Sequence, residues 1–391
     1  MTAPRVLLYV QHLLGIGHLK RFATLADAMT RAGLEVTFVT GGLEVPGLTI
    51  NARHIVQLPP ASAADLSFKV ILDANGNPVD AQWKAQRAAL LFDAWRVADP
   101  HVLLIELFPF GRRQMRFELI PLLDAASSAA RRPVIVSSVR DILGGGQKDP
   151  ARQDQMLALF ERYFDHLLVH GDPLWVPFDA TFRHVARLGD KLHYTGHVVE
   201  RQPPVSVGQR AGEREVLVSV GGGAVGLQLL QTAIQARALC VLSQCRWRLL
   251  AGAQIGDAEL QHLTLLAQTA GGPGLVVERN RPDFSQLLAN CRLSISQAGY
   301  NTLMETLQAG APAVIVPFAG GSETEQTMRA CLLAQRGWID MVEESALSPR
   351  SLADAVDRAA RRTRHGREAL RLDGAANSAA MVAGWAQERP C

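Results

Sequence analysis

The stretch Cys291–Arg336, CRLSISQAGYNTLMETLQAGAPAVIVPFAGGSETEQTMRACLLAQR, decides the fold. A short apolar strand over 293–296 runs into a turn at Gly299, and apolar residues at helical spacing follow. Gly310 ends that helix, and a second strand over 313–316 leads through a glycine-rich loop into another helix. Strand ends, glycines and helix N-termini therefore meet on one rim, where open α/β sheets bind ligands and backbone N–H groups suit an anion.

This stretch resembles the donor-binding segment of two-domain (GT-B) glycosyltransferases. The similarity is to family 28, which includes enzymes that add N-acetylglucosamine to the peptidoglycan lipid precursor. Some forty residues match in order, and weaker similarity covers nearly the whole chain. The resemblance implies an α/β protein of the GT-B fold, in which two Rossmann-like, doubly wound parallel-sheet domains face a cleft.

The resemblance also implies roles for residues of this segment. Ser296 and Gly299 match positions near the donor diphosphate, and Glu305 matches the carboxylate that holds the ribose hydroxyls. Glu325 and Gln326 match the pair that reads the hydroxyls of the donor sugar. Further donor-binding candidates, without a firm role, are Asn301 and Thr302.

Length and composition bound the remaining possibilities. The chain has 391 residues, 48% hydrophobic and 20% charged, which predicts two globular domains. A net charge of +3 does not indicate a nucleic-acid partner, and five cysteines without a CxxC pair are typical of a reducing cytoplasm. We expect a cytoplasmic protein, because no signal peptide and no run of eighteen apolar residues is present. Peripheral contact with the inner face of the membrane is compatible with this composition.

The polar, proline-containing stretch 201–215 reads as a linker between two doubly wound patterns. We therefore expect an N-terminal acceptor-binding domain over 1–200 and a C-terminal donor-binding domain with six strands over 216–373. The alanine-rich tail 374–391 is helical in pattern, and in GT-B chains such a helix often returns to the first domain.

The first strand ends in a loop that reads GIGHLKR, with Gly17 and His18 at the start of a helix. It lacks the GxGxxG spacing of dinucleotide binders. The loop resembles the N-terminal glycine loop of GT-B enzymes, with Gly17 among the donor contacts, and also a loop of nucleotide-sugar hydrolases. A histidine in the first helical turn has a lowered pKa and favours the neutral base, so His18 is the first catalytic candidate. The alternative is a histidine that only caps or packs.

Glu106 ends a predicted strand roughly ninety residues after the loop histidine. Its position resembles the His–acid dyad of some GT-B enzymes, in which the carboxylate orients the histidine and stabilises its protonated form. Pairing with an arginine, away from His18, is an equally good interpretation.

Acceptor-binding candidates follow two strand ends of the N-terminal half. Phe110 and Arg112 lie in the loop FPFGRR, where an aromatic ring and a guanidinium suit an acceptor with an apolar part and an anionic group. The alternative is a surface loop with core phenylalanines. Arg140 ends the next strand and is a candidate contact to acceptor or diphosphate.

In the C-terminal half, a predicted strand ends at three consecutive glycines, Gly221, Gly222 and Gly223. Because no side chain covers them, their backbone N–H groups are predicted to form a cradle that binds the diphosphate. Family 28 enzymes carry a serine where Gly223 stands. Arg279 or Asn280, after a later strand, are candidates to contact the nucleobase, and Asp283 is expected to cap a helix.

Together these observations predict an inverting transfer of a sugar, in this family from a UDP-sugar such as a UDP-N-acetylhexosamine, to an acceptor hydroxyl. The acceptor can be a small molecule, a glycan or a lipid-linked group. No DxD pair is evident, so we expect no metal and no cofactor. A nucleotide-sugar hydrolase or epimerase of the same fold, and a non-catalytic nucleotide-sugar-binding protein, remain alternatives.

Overall fold

The computed structural model describes residues 3–65, 68–144, 149–200, 211–221, 226–252, 255–270, 272, 274–320, 324–363 and 371–388. The contacts divide the chain into two compact units. The first comprises Met1–Val199 with Arg371–Cys391, and the second comprises Glu200–Leu370. The change from the first unit to the second thus falls at the start of the polar stretch that the sequence analysis reads as a linker.

The strands of the first unit are β1 (Arg5–Val10), β2 (Glu35–Thr40), β3 (His54–Gln57), β4 (Ser62–Ala63), β5 (Ile71–Leu72), β6 (Val102–Glu106), β7 (Val134–Arg140), β8 (His166–His170) and β9 (Leu192–Tyr194). Its helices are α1 (Gly17–Arg31), α2 (Ala81–Ala98), α3 (Arg116–Ser127), α4 (Pro150–Tyr163), α5 (Val185–Leu188) and, from the end of the chain, α12 (Gly374–Glu388).

The main sheet of this unit is parallel, with the strand order β3-β2-β1-β6-β7-β8-β9. The order reverses between β1 and β6, which are neighbours in the sheet although about ninety residues separate them in the chain. Ligands of open α/β sheets bind beyond the carboxyl ends of the strands at such a reversal point. The loops after β1 and β6 are therefore the first place to look for a site.

Helix α1 packs on this sheet through the apolar face that its sequence predicts. Leu19, Phe22, Ala26 and Met29 are all buried, in a cluster with residues of β1, β2 and β6. The C-terminal helix α12 adds Val382 and neighbouring residues to the same cluster and lies against α1. The tail of the chain therefore completes the core of the first unit.

The second unit contains the strands β10 (Val216–Ser219), β11 (Trp247–Ala251), β12 (Leu275–Arg279), β13 (Leu293–Ser296), β14 (Ala313–Ile315) and β15 (Asp340–Met341). Its helices are α6 (Leu227–Ala236), α7 (Asp257–Ala270), α8 (Phe284–Asn290), α9 (Tyr300–Ala309), α10 (Glu325–Gln335) and α11 (Pro349–Ala360). The parallel sheet has the order β12-β11-β10-β13-β14-β15 and reverses between β10 and β13. All six strands were predicted from the sequence.

Four short strands were not predicted. β3 and β9 are the two edges of the first sheet, and β4 and β5 form a small antiparallel pair within the stretch interpreted as a loop. β3 is mostly exposed, so it lacks the apolar run that marks the central strands. Among the described residues, no helix is long and apolar enough to cross a lipid bilayer.

Candidate active site

The reversal point of the first sheet brings the loop before α1 next to the carboxyl end of β6. Gly17 is the first residue of α1, and His18 occupies the first turn of that helix. Glu106 is the last residue of β6 and pairs in register with Ser138 of β7. The two sequence-predicted catalytic candidates therefore meet through the topology of the sheet.

His18 and Glu106 are in direct contact. Nδ1 of His18 lies 2.5 Å from Oε1 of Glu106; the carboxylate is fully buried, whereas 16% of the His18 side chain is exposed. Because an ionised carboxylate only accepts hydrogen bonds, Nδ1 carries the proton and Nε2 keeps a free lone pair. This is the tautomer that a general base requires.

Two arginines that the sequence analysis did not connect with Glu106 complete its surroundings. Arg21 Nη2 donates to Glu106 Oε1 over 2.7 Å, and Arg112 Nε lies 3.6 Å from Oε2. Glu106 therefore faces His18, contrary to the alternative that it pairs with an arginine away from His18, and it pairs with arginines as well. Arg21 had a detectable signal, because a residue three positions after His18 shares its helix face.

The surroundings determine the protonation of this centre. Burial lowers the pKa of His18 to about 3, with Arg112 and Arg140 acting in the same direction against the attraction of Glu106. Burial raises the pKa of Glu106, but His18, Arg112 and Arg21 together bring it down to about 2. At neutral pH the site therefore holds a neutral imidazole beside an ionised carboxylate.

The loop after β6 is held in an unusual conformation. Leu107 and Arg112 both have positive φ values, 62° and 55°, in the left-handed region that non-glycine residues rarely adopt. Each such residue costs on the order of 1–3 kcal/mol, and this strain is concentrated at functional sites. Here it directs the Arg112 side chain toward Glu106.

Phe110 corrects one prediction. Its ring is buried and packs edge-on against Phe178 and Phe182, with Phe160 also nearby. It belongs to the core and cannot present its ring to an acceptor. Of the three predicted acceptor contacts, Arg112 and Arg140 are the ones that lie within electrostatic reach of His18.

In the second unit, the reversal point lies between β10 and β13. Gly221 follows β10 with φ 70°, and its carbonyl accepts a hydrogen bond of 3.1 Å from Asn280 Nδ2. Gly222 and Gly223, the remainder of the predicted cradle, lie outside the described residues. Asn280 thus supports the loop that the sequence analysis assigned to the diphosphate.

The segment after β13 has the predicted local structure. Ser296 is fully buried at the strand end, and Gly299 caps the start of α9 with open space where a side chain would project. The three polar candidates on α9, each partly buried, are Asn301, Thr302 and Glu305. Gly310 adopts the left-handed conformation (φ 65°) that ends the helix, as predicted.

Glu325 is placed differently from the prediction. It is the first residue of α10 and is buried, and its carboxylate accepts a 3.0 Å hydrogen bond from Arg329 one turn later. The Arg329 guanidinium lies over the Tyr300 ring at the start of α9. Gln326 accepts a hydrogen bond from the backbone N–H of Phe318. Glu325 therefore joins the starts of α9 and α10 instead of presenting an exposed carboxylate.

Two further predictions concern the loop after β12. The guanidinium of Arg279 pairs with Asp257 at 2.5 Å and donates a hydrogen bond to the carbonyl of Ile255. Both partners lie in the second unit. Asp283 occupies the cap position of α8, but its side chain pairs with Arg281 and makes no capping hydrogen bond. Both side chains use their charges within the loop.

Comparison with known proteins shows which family model the C-terminal part of the chain matches. Residues 217–377 match the glycosyltransferase family 28 C-terminal domain. The chain is 26% identical over 244 residues to the UDP-N-acetylglucosamine--N-acetylmuramyl-(pentapeptide) pyrophosphoryl-undecaprenol N-acetylglucosamine transferase of Granulibacter bethesdensis, covering 60% of this chain and 57% of that protein. It is 31% identical over 176 residues to the protein of the same name from Brucella anthropi, covering 44% of each chain. The chain therefore spans about half the length of these curated relatives.

Solved structures agree over almost the whole chain. MurG of Acinetobacter baumannii superposes with a TM-score of 0.58 at 15% identity, covering 98% of this chain and all of that one. The glycotransferase of kitacinnamycin superposes with a TM-score of 0.64 at 17% identity, covering 99% and 100%. Such identities show the fold alone. The chain therefore has the GT-B fold, and its residues 217–377 match the glycosyltransferase family 28 C-terminal domain.

Proposed function

We propose that this protein transfers a sugar from a UDP-sugar to an acceptor hydroxyl, with inversion at the anomeric carbon and His18 as the general base. The observation that carries the proposal is the contact between His18 and Glu106, which leaves a neutral imidazole with a free Nε2 lone pair at a partly exposed position. The family 28 domain in the second unit supports a nucleotide-sugar donor.

In the proposed reaction, His18 Nε2 takes the proton of the acceptor hydroxyl while its oxygen attacks the anomeric carbon of the donor. The bond from that carbon to the diphosphate oxygen breaks, and UDP leaves with the electron pair. Glu106 stabilises the imidazolium that forms, because its carboxylate already accepts the Nδ1 hydrogen bond. The base then returns its proton to water after the product has left.

The proposed donor site belongs to the second unit. Backbone N–H groups after β10 and at the start of α9 would stabilise the departing diphosphate, since preorganised donors act on charge that develops in the transition state. Glu305 would bind the ribose and Gln326 the sugar. We also propose that the chemistry needs no metal, because the sequence contains no DxD pair to hold a divalent ion.

For the acceptor we propose a hydroxyl compound with an anionic group. The guanidiniums of Arg112 and Arg140 act on His18 from the surrounding loops, so negative charge on the acceptor would be attracted close to the base. The names of the curated relatives describe a pyrophosphoryl-undecaprenol acceptor, and a lipid-linked diphosphate of that class fits this charge. Peripheral membrane contact would then bring the protein to such a substrate, although the buried Phe110 cannot supply it.

The test is UDP release by the purified protein from UDP-N-acetylglucosamine and UDP-glucose, with and without a polyprenyl diphosphate-linked sugar as acceptor. We expect acceptor-dependent release that falls about 10²–10⁴-fold in His18→Ala, the range of general acid–base catalysis. His54→Ala is the matched control, because His54 is an exposed histidine on the edge strand β3. Proton NMR of the product reports inversion, and added chelator reports the need for a metal.

Other outcomes identify the alternatives. UDP-sugar turnover at full rate without acceptor would identify a hydrolase or epimerase. Binding of UDP-sugar by both wild type and His18→Ala, without turnover in either, would identify a binding protein. Calorimetry that detects no UDP binding would contradict the donor site itself.

A further inference from the structure

The Glu106 carboxylate receives two hydrogen bonds on the same oxygen. His18 Nδ1 lies 2.5 Å and Arg21 Nη2 lies 2.7 Å from Oε1. Both partners come from α1, where a spacing of three residues places them on one face of the helix. The Arg21 side chain is buried, so its charge is as strongly shielded from water as that of the carboxylate.

A buried carboxylate beside a neutral histidine has two arrangements that differ by one proton from water. It can remain ionised and accept from Nδ1–H, or it can take up a proton from water and donate to Nδ1. In the second arrangement Nε2 carries the other proton and cannot accept one from a substrate. Desolvation favours the second arrangement, because it avoids a buried charge, whereas a neighbouring cation favours the first.

Arg21 is the cation with the closest described contact to Glu106. Arg112 approaches the other oxygen, Oε2, only to 3.6 Å, and among the described residues Glu106 Oε2 and Arg112 Nε have no hydrogen-bond partner. Charged and titratable groups facing the pair from the surrounding elements are His12 after β1, Arg112 after β6, Arg140 at the end of β7 and His170 at the end of β8.

We propose that Arg21 is a positioning residue that keeps Glu106 ionised and thereby holds the proton of neutral His18 on Nδ1. It touches no reacting atom and acts through the carboxylate. The consequence for catalysis rests on the proposed function, whereas the consequence for the His18 tautomer does not. Without the Arg21 charge, Glu106 takes up a proton from water and donates it to Nδ1, and the single ring proton of His18 then lies on Nε2, so that His18 turns from an acceptor at Nε2 into a donor there.

The test is ¹⁵N NMR of histidine-labelled protein without substrate, with His18 assigned through His18→Gln. Wild type is expected to show the Nδ1–H tautomer at neutral pH. Arg21→Met, which keeps the aliphatic length and removes the charge, is expected to show Nε2–H. Arg21→Lys keeps the charge and is expected to retain Nδ1–H.

Turnover supplies the second readout. We expect kcat/KM to fall about 10²–10⁴-fold in Arg21→Met, since the base is lost, with partial recovery in Arg21→Lys. Guanidinium at concentrations far below those that denature is expected to restore activity to Arg21→Ala, and urea, its neutral counterpart of the same shape, is not. Arg87→Met is the matched control, because it removes another buried arginine from a glutamate of the same unit without touching His18.

Retention of Nδ1–H in Arg21→Met would overturn the proposal. If Arg21→Met does not fold, Arg21→Lys decides alone, and the Nε2–H tautomer in that variant would overturn it equally. A shifted tautomer together with turnover that is insensitive to His18→Ala would leave the role of Arg21 intact and contradict the proposed function.

Discussion

Two buried arginine–glutamate pairs of the first unit, Arg87–Glu118 and Arg21–Glu106, are built differently. Arg87 donates two hydrogen bonds to Glu118, from Nε to Oε2 at 2.7 Å and from Nη2 to Oε1 at 3.1 Å. Its remaining donors reach the carbonyl of Gly41, the carbonyl of Pro59 and the Gln11 side chain, and Tyr9 donates to Glu118. Arg21 makes one hydrogen bond to Glu106, whose other oxygen has none among the described residues.

This difference separates a structural ion pair from a functional one. The Arg87–Glu118 network ties β1, α2 and α3 together and leaves little hydrogen-bonding capacity unused. The Glu106 centre leaves capacity unused and extends to a partly exposed histidine. Buried polar atoms without partners are rare in folded proteins, and where they occur a functional reason is expected.

The largest effect should come from Glu106→Gln. The amide can still accept a hydrogen bond from His18, but it supplies no charge for the imidazolium that forms during transfer. We expect kcat/KM to fall about 10²–10⁴-fold with KM for the donor little changed. Steady-state kinetics of UDP release measure this. Loss in KM alone would assign Glu106 to binding.

Breaking the Arg87–Glu118 pair should lower the stability of the first unit. Glu118→Gln leaves the fully buried Arg87 without its counter-charge, and breaking such a pair costs about 3–5 kcal/mol in the free energy of unfolding. Urea denaturation measures this loss. It is monitored by the hydrogen exchange of backbone amides in β1 and β6, so that the signal comes from the first unit alone. The pH profile of kcat/KM should stay that of wild type. A changed profile would show that the two pairs are coupled.

The most gradual effect is a pH dependence of stability. The pKa of His18 is lowered to about 3 in the folded protein, below the ordinary value of 6.5. Between these values the unfolded chain binds a proton that the folded chain does not, so stability falls as the pH falls from 6.5, by at most about 1.4 kcal/mol per pH unit. The depressed pKa of Glu106 adds a loss that begins below its ordinary value of 4.5 and continues to about pH 2.

His18→Gln should remove the His18 part of this slope. Denaturation midpoints of wild type and variant, compared between pH 7 and pH 4, report the difference. The wild-type kcat/KM should show no fall near pH 6.5, because the base is still neutral there. A fall at that pH would mean that His18 titrates as an exposed histidine.

The sequence predicted the architecture more completely than the site. The six strands of the second unit could be predicted because apolar runs alternate with glycine-ended helices in the sequence. β3 and β9 could not be predicted, because these short edge strands carry no apolar run. His18 and Glu106 were found through strand ends and resemblance. Arg21 was missed, since nothing within one helical turn indicates that its partner lies 85 residues away.

The sequence by itself determined two parallel-sheet domains and the glycine-ended loops at their strand ends, because strand and helix periodicity and turn chemistry are local properties. Only the tertiary structure decided that Arg21 and Arg112 converge on Glu106. It also decided that Phe110 belongs to the core and that Glu325 accepts a hydrogen bond from Arg329. Those outcomes depend on which side chains meet when strands and helices distant in the chain pack together. They also depend on whether a buried charge has a protein partner in place of water.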